Sequence, residues 1–255
     1  MNQTDKKIYF ASDFHLGLRG EDKDFSREKL IVRWLDNIQN DASEIFFLGD
    51  VFDFWFEYKT VVPKGYIRLL GKLAELSDKG IKLYFFKGNH DMWMFDYLKI
   101  QLNADIISNE LVIERNGLKI YLHHGDGLGP GDKSYKFLKV LFRSSICQWF
   151  FARLHPNFGI GLASFLSRSS RQRNYRSDLK YLGDDKEFLT LFAKNKLAET
   201  HYDYFIFGHR HLPLQITLSP QSKYINLGEW VTHFTYAELS SKDIQLKTFT
   251  GNIWA

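Results

Sequence analysis

Residues 45–53 read Ile45-Phe46-Phe47-Leu48-Gly49-Asp50-Val51-Phe52-Asp53. An apolar run stops at a glycine and then presents two carboxylates. The run has the pattern of a buried strand, and Gly-Asp that of the loop leaving its end. Four other stretches share this shape: Ser12-Asp13-Phe14-His15, Lys87-Gly88-Asn89-His90-Asp91, His123-His124-Gly125-Asp126 and Gly208-His209-Arg210-His211. Each follows an apolar run and presents Asp, Asn or His. Asp50 is therefore expected at the centre of a two-metal hydrolytic site, with the other four loops closing around it.

Working outward from Asp50, the first hundred residues alternate between strand and helix. Ile8-Tyr9-Phe10-Ala11 is apolar throughout, which suits a strand buried on both faces. Leu30, Ile31, Trp34, Leu35 and Ile38 recur at helical spacing and predict a helix over 25–40. Pro63 is read as opening a second helix, with apolar face Ile67, Leu70, Leu73, Ala74 and Leu76 and an end at Lys79-Gly80. A third strand over 81–86 and a short helix over 92–102 follow. This order implies an α/β layered domain with parallel strands and active groups at their carboxyl ends.

Beyond residue 110 the pattern changes. Segments 111–114 and 118–123 flank Arg115-Asn116-Gly117, a hairpin signal. Residues 203–207 predict another strand, and short β segments follow at 214–218, 224–227, 232–239 and 244–249. Together they suggest a second, partly antiparallel sheet, with a helix over 187–200 before it. Residues 127–183 fit neither pattern. From Lys133 to Ser177 there is no acidic residue, but there are nine Lys and Arg, interleaved with Phe, Leu and Trp. This reads as two or three amphipathic helices inserted into a domain formed by 1–126 and 184–255.

The single cysteine, Cys147, excludes a disulfide framework and suits a reducing compartment. The first residues lack a signal-peptide core, and no run of about 18 apolar residues predicts a membrane span. The formal charge of +4 is too mild to require a nucleic-acid partner.

The loop residues are hard oxygen and borderline nitrogen donors, a mixture that suits Mn, Fe or Zn better than Ca or Mg. Two divalent ions about 3.5–4 Å apart can share a water and lower its pKa. Taken singly, Asp-x-His is commonplace and Gly-Asp is usually a turn. Five such loops, each at a strand end, argue for one site.

In these blocks the chain resembles the calcineurin-like metallophosphoesterases, whose order D-x-H, GD, GNH, H, GHxH it matches throughout. The resemblance implies a four-layer αββα sandwich, two mixed sheets flanked by helices, around a dinuclear centre. By position, Asp13, His15, Asp50 and His211 would bind one ion and Asp50, Asn89, His124 and His209 the other, with Asp50 bridging. His90 would contact the phosphate or protonate the leaving group, and Asp53 would orient it. His123 has the alternative reading of a core histidine. Many phosphatases of the family carry Arg-Gly where this chain has Phe54-Trp55, which speaks against a phosphoprotein substrate.

Within the family, residues 48–55 (LGDVFDFW), 88–93 (GNHDMW), 123–132 (HHGDGLGPGD) and 225–230 (INLGEW) look like the UDP-2,3-diacylglucosamine pyrophosphohydrolases of lipid A synthesis. Those enzymes release UMP and the acylated sugar phosphate, and use the insertion as a helical lid for the acyl chains. The resemblance implies an anionic glycolipid nucleotide substrate, two ions (Mn²⁺ first), and a protein in the cytoplasm, peripheral to the inner membrane of a Gram-negative bacterium. It makes Asn89, His90, Asp132, Arg168, Arg171, Arg173 and His209 candidates for substrate contact. Two departures stand out: the better-known form has arginine at His90 and glutamate at Asp53. A related enzyme acting on another diphosphate, or a nuclease of the same fold, is the alternative, although a Phe-rich insertion is a poor groove for nucleic acid. A non-catalytic scaffold would typically have lost ligands, and none is lost here.

Overall fold

A computed structural model describes residues 6–17, 25–129, 133–178 and 180–251; for 133, 134 and 168–178 only the backbone is described. Within these residues the chain forms two sheets. The first contains β1 (Lys7–Ala11), β2 (Ala42–Phe47), β3 (Lys82–Phe86), β4 (Asp105–Ile107), β10 (Thr235–Ser240) and β11 (Asp243–Thr248), in the order β11-β10-β1-β2-β3-β4. The second contains β5 (Leu111–Arg115), β6 (Leu118–His123), β7 (Tyr204–Phe207), β8 (Pro213–Ser219) and β9 (Ser222–Leu227), in the order β5-β6-β7-β9-β8. β1 to β4 run parallel, as do β6, β7 and β9.

Side-chain alternation explains the layers. In β1, Ile8 and Phe10 face the second sheet, where they pack with Phe46, Leu48, Ile120, Leu122, Ile206, Ile225 and Leu227. Tyr9 and Ala11 face the other way, onto α1 (Ser26–Ile38), α2 (Ile67–Asp78) and α3 (Tyr97–Leu102), among Ile31, Trp34, Leu35, Leu69, Leu73 and Leu98. A strand buried on both sides needs apolar residues at every position, so β1 and β2 read as continuous apolar runs. On the outer face of the second sheet, Tyr121, Phe205, Phe207 and Tyr224 cover Leu189 and Ala193 of α7 (Phe188–Glu199). The result is helices, sheet, sheet, helix, as expected. The β5–β6 hairpin turns at Asn116 and Gly117, with φ of 54° and 77°, the left-handed pair that a two-residue turn requires.

Three expectations are corrected and one strand is added. β10 and β11 do not extend the second sheet; β10 pairs antiparallel with β1 and closes the first. β4, a three-residue edge strand, was not anticipated. α2 starts at Ile67 rather than at Pro63, because Glu28 on α1 caps it: one carboxylate oxygen accepts from Arg68 N–H at 2.9 Å and Leu69 N–H at 3.1 Å. α3 is confined to 97–102. Glu57 accepts the N–H groups of Phe95, Asp96 and Tyr97 at 2.8–3.0 Å, while Met92 and Trp93 are packed with Phe56.

The insertion forms α4 (Lys133–Arg143), α5 (Ser145–Phe151) and α6 (Pro156–Asp178). Tyr135 donates to Asp126 at 2.6 Å, and Lys139 pairs with the same carboxylate at 2.6 Å. Phe142 and Phe151 pack on Phe54, Tyr58 and Trp93, and Trp93 N–H donates to Phe142 O at 2.7 Å. No described helix is long and apolar enough to cross a membrane.

Candidate metal centre

All five loops leave the carboxyl ends of their strands and meet between the two sheets. β1, β2 and β3 deliver Asp13, His15, Asp50, Asn89 and His90; β6 and β7 deliver His124, His209 and His211. Main-chain bonds stitch the loops together: Asp13 N to Gly49 O (3.0 Å), His15 N to Asp50 O (2.9 Å), Gly208 N to His124 O (2.8 Å) and Trp230 N to Asp13 O (3.1 Å). Asp13, His15, Asp50, His209 and His211 all have φ between 42° and 65°. Left-handed backbone in a non-glycine residue costs on the order of 1–3 kcal/mol and persists only where the surroundings enforce it. Gly88 permits the closest approach, since a Cβ there would collide with the Asp50 carboxylate.

Asp91 escaped the sequence reading as a functional residue, although it ends the third loop. Fully buried, it accepts from Gly88 N–H (2.9 Å), Asp50 N–H (3.2 Å), Val51 N–H (2.8 Å) and Phe52 N–H (3.3 Å). One side chain thus fastens the second loop to the third. Burial, together with the charge of Asp50, pushes its carboxyl up to about 7.

Among the described residues, three groups of side chains have ligand atoms within 4.8 Å of one another: Asp13, His15 and His211; Asp50, His124 and His209; and His15, Asp53 and His90. Whether they fit cations is decided by their polar atoms. Among the described residues, Asp13 Oδ1 and Asp50 Oδ2 are buried without a hydrogen-bond partner, a costly state for a carboxylate. Around Asp13 Oδ1 stand His211 Nε2 at 3.3 Å and His15 Nε2 at 3.6 Å. Around Asp50 Oδ2 stand His124 Nε2 at 3.5 Å and His15 Nε2 at 3.9 Å. His15 Nε2 and His211 Nε2 face each other at 3.1 Å. Asn89 Oδ1 lies 2.9 Å from His209 Nδ1 and 3.1 Å from His124 Nε2. Orphaned oxygens converging with imidazole nitrogens fit two divalent ions with borderline nitrogen preference.

The electrostatics agree. Burial opposes the charge on Asp13, but the imidazoles of His15 and His211 beside it hold its carboxyl well below the usual range. Asp50 is likewise held low against burial, by the charges of His124 and His90. Against its own burial, His124 is pushed up to about 10 by Asp50. Burial and the neighbouring His124 push His209 down to about 4.

The two adjacent histidines separate cleanly. The Nδ1 of His124 is 2.7 Å from Leu48 O, which turns Nε2 into the cluster. His123 instead accepts Gly125 N–H through Nδ1 at 2.7 Å. His90 lies beside His15, ring centroids 5.0 Å apart. Its Nδ1 is 3.2 Å from the main-chain oxygen of Asp53 and 3.6 Å from the Asp53 carboxylate. Asp53 therefore meets His90 through its carbonyl, while the carboxylate stands between His90 and His15. Phe54 packs under the insertion, and Trp55 is fully buried, donating to Glu57 at 3.0 Å. Arg210, between two candidate ligands, makes a buried two-pronged ion pair with Glu187. Asp132 lies outside the described residues. Arg168, Arg171 and Arg173 fall on α6, but their side chains lie outside the described part.

A cavity of about 850 Å³ opens beside Asp53, walled by Leu16, Phe54, Val62 and Tyr66 on one side and by Pro156 and Ile160 of the insertion on the other.

The chain belongs to the calcineurin-like phosphoesterase family, which it matches over residues 6–213. Over 245 residues it is 39% identical to the UDP-2,3-diacylglucosamine hydrolase of Porphyromonas gingivalis, covering 91% of this chain and 93% of that one. The proteins of the same name from Shewanella baltica and Histophilus somni are 25% and 24% identical, over 95% and 94% of this chain and 97% and 99% of their own.

Proposed function

We propose that this protein is a hydrolase that cleaves the diphosphate of UDP-2,3-diacylglucosamine to UMP and 2,3-diacylglucosamine 1-phosphate. The observation that carries the reading is the likeness to the Porphyromonas gingivalis hydrolase across nearly the whole length of both chains, insertion included. Asp13, His15, Asp50 and His211 would hold one divalent ion and Asp50, Asn89, His124 and His209 the other, with Mn²⁺ as the first choice and Fe or Zn as substitutes. Such a pair lowers the pKa of a shared water and neutralises the oxygens of the phosphoryl group. His90, fixed at Nδ1, offers Nε2 to the phosphate or the leaving oxygen.

The insertion supplies the apolar half of the site. Of the nineteen large apolar side chains exposed among the described residues, eleven lie on α4 to α6, including Phe137, Trp149, Phe150 and Phe165. Apolar surface on that scale fits acyl chains or an interface. Its Lys and Arg residues favour an anionic leaflet by about 1 kcal/mol each. This supports a peripheral protein at the cytoplasmic face of the inner membrane of a Gram-negative bacterium; Asp132, Arg168, Arg171 and Arg173 are the candidates, by the resemblance, for contact with the substrate headgroup.

The test is incubation with Mn²⁺ and UDP-2,3-diacylglucosamine, following UMP by chromatography. Steady UMP release that stops with EDTA is the expected result. No UMP, alongside efficient cleavage of simple phosphodiesters or salt-sensitive DNA binding, would sink the assignment.

A further inference from the structure

The insertion reaches the candidate catalytic histidine through one side chain. Ser167, two turns along α6 from Ile160, lies with its Oγ 2.7 Å from His90 Nδ1. The same Oγ is 3.1 Å from the Asp53 main-chain oxygen and 3.2 Å from Asp53 Oδ1. The direct path from the Asp53 carboxylate to His90 Nδ1 is 3.6 Å, too long for a good hydrogen bond. The serine fills that gap.

We infer that Ser167 is a positioning residue that completes a relay from Asp53 through Ser167 to His90. An arrangement of hydrogens that these distances allow connects the three groups. His90 Nδ1–H donates to Ser167 Oγ, and Ser167 O–H donates to the Asp53 carboxylate. With its proton on Nδ1 committed, the ring can turn neither edge-on nor over, and Nε2 is held toward the reacting phosphate. When the bond from phosphorus to the leaving oxygen breaks, that oxygen takes the proton carried on Nε2 of the imidazolium ring, which is left neutral with its remaining proton on Nδ1, still donated to Ser167. A carboxylate oriented on the far nitrogen of a histidine serves this purpose in other hydrolytic sites; here a hydroxyl from another segment of the chain is interposed. Ile160 and Ser164 line the cavity beside Asp53 and sit two turns and one turn, respectively, before Ser167 on the same helix face. The helix that walls the cavity therefore also contributes to setting the histidine, beside the Asp53 carbonyl.

The inference rests on the reading of His90 as the group that meets the leaving oxygen. It is tested with Ser167→Ala, Ser167→Thr and Ser167→Val on aryl esters of uridine 5′-monophosphate, with leaving groups running from p-nitrophenol to phenol, in Mn²⁺. General acid catalysis is worth roughly 10²–10⁴-fold, and an unfixed histidine forfeits part of it. Ser167→Ala and Ser167→Val are expected to lower kcat about tenfold or more for the phenyl ester, with little change in KM. The loss should shrink to under about threefold for p-nitrophenyl, whose oxygen leaves without a proton. Ser167→Thr keeps the hydroxyl and should restore the phenyl rate. Equal losses across the series, a rise in KM alone, or Thr behaving as Val would overturn the relay. Because these esters carry no lipid, failure of the unaltered chain to release UMP from the glycolipid nucleotide would remove the substrate reading alone.

Discussion

Glu187 and Arg210 form the most enclosed ion pair bordering the centre, and breaking it is the sharpest test of how the GHRH loop is held. The two side chains are 1% and 5% exposed. Arg210 donates to Glu187 through Nε at 2.9 Å and Nη2 at 3.1 Å. Glu187 also accepts Leu182 N–H at 2.9 Å, so the pair ties the loop to the chain returning from the insertion. Removing one partner from a buried pair costs about 3–5 kcal/mol, because a charge is left buried without its counter-charge. Glu187→Gln keeps an acceptor, so we take the lower end, about 3 kcal/mol. At about 2–4 °C per kcal/mol for a chain of this size, Tm should fall by about 6–12 °C. The Glu187→Met/Arg210→Met double variant leaves no unpaired charge and should recover most of the loss, giving a coupling of about 2 kcal/mol or more. The assay is reversible urea or thermal unfolding by circular dichroism in EDTA, repeated with Mn²⁺. The metal-induced gain in Tm should be smaller in Glu187→Gln, since the loop carries His209 and His211. A Tm within about 2 °C of the parent for Glu187→Gln, or strictly additive single and double variants, would refute the reasoning.

Three further outcomes follow from the same geometry. Asp91→Ala strips the acceptor from four buried N–H groups and should cost about 3 kcal/mol or more while abolishing Mn²⁺ binding by calorimetry; a soluble variant with parental affinity would contradict this. His123 is pushed by burial from 6.5 down to about 3. The native chain thus binds fewer protons than the unfolded one between those values, and stability is lost as pH falls through that window. Urea titrations of His123→Gln and the parent at pH 7 and pH 5 should show the parent losing about 1–2 kcal/mol more. On the insertion, Trp149→Ser with Phe150→Ser should reduce sedimentation with anionic phospholipid vesicles severalfold and leave cleavage of a soluble aryl ester unchanged; equal vesicle binding by both proteins would count against the interfacial role.

The strands carrying the ligands could be read because each is buried on both faces, which forces an unbroken apolar run ending at Gly or Asp. The starts of α2 and α3 could not, since their caps come from afar: Glu28 sets the beginning of α2 and Glu57 that of α3. The place of β10 was equally hidden. Its alternation fits either sheet, and only pairing with β1, distant in sequence, decides between them. Asp13, His15, Asp50, Asn89, His124, His209 and His211 do converge. The residues that hold them were not legible, because Asp91, Glu187 and Ser167 look like ordinary loop or helix-surface residues until the chain folds.

The candidate ligands are divided between the sheets, and β10 crosses back from the second sheet to lie against β1, with Trp230 N–H on Asp13 O at 3.1 Å. During synthesis, a chain emerging as far as His124 would display five of the seven ligands with no partner sheet to set their spacing. The two histidines of the GHRH loop come much later, and the strand that braces Asp13 later still. The full set of candidate ligands is thereby complete only once the chain has been made as far as His211, and its brace only with β10.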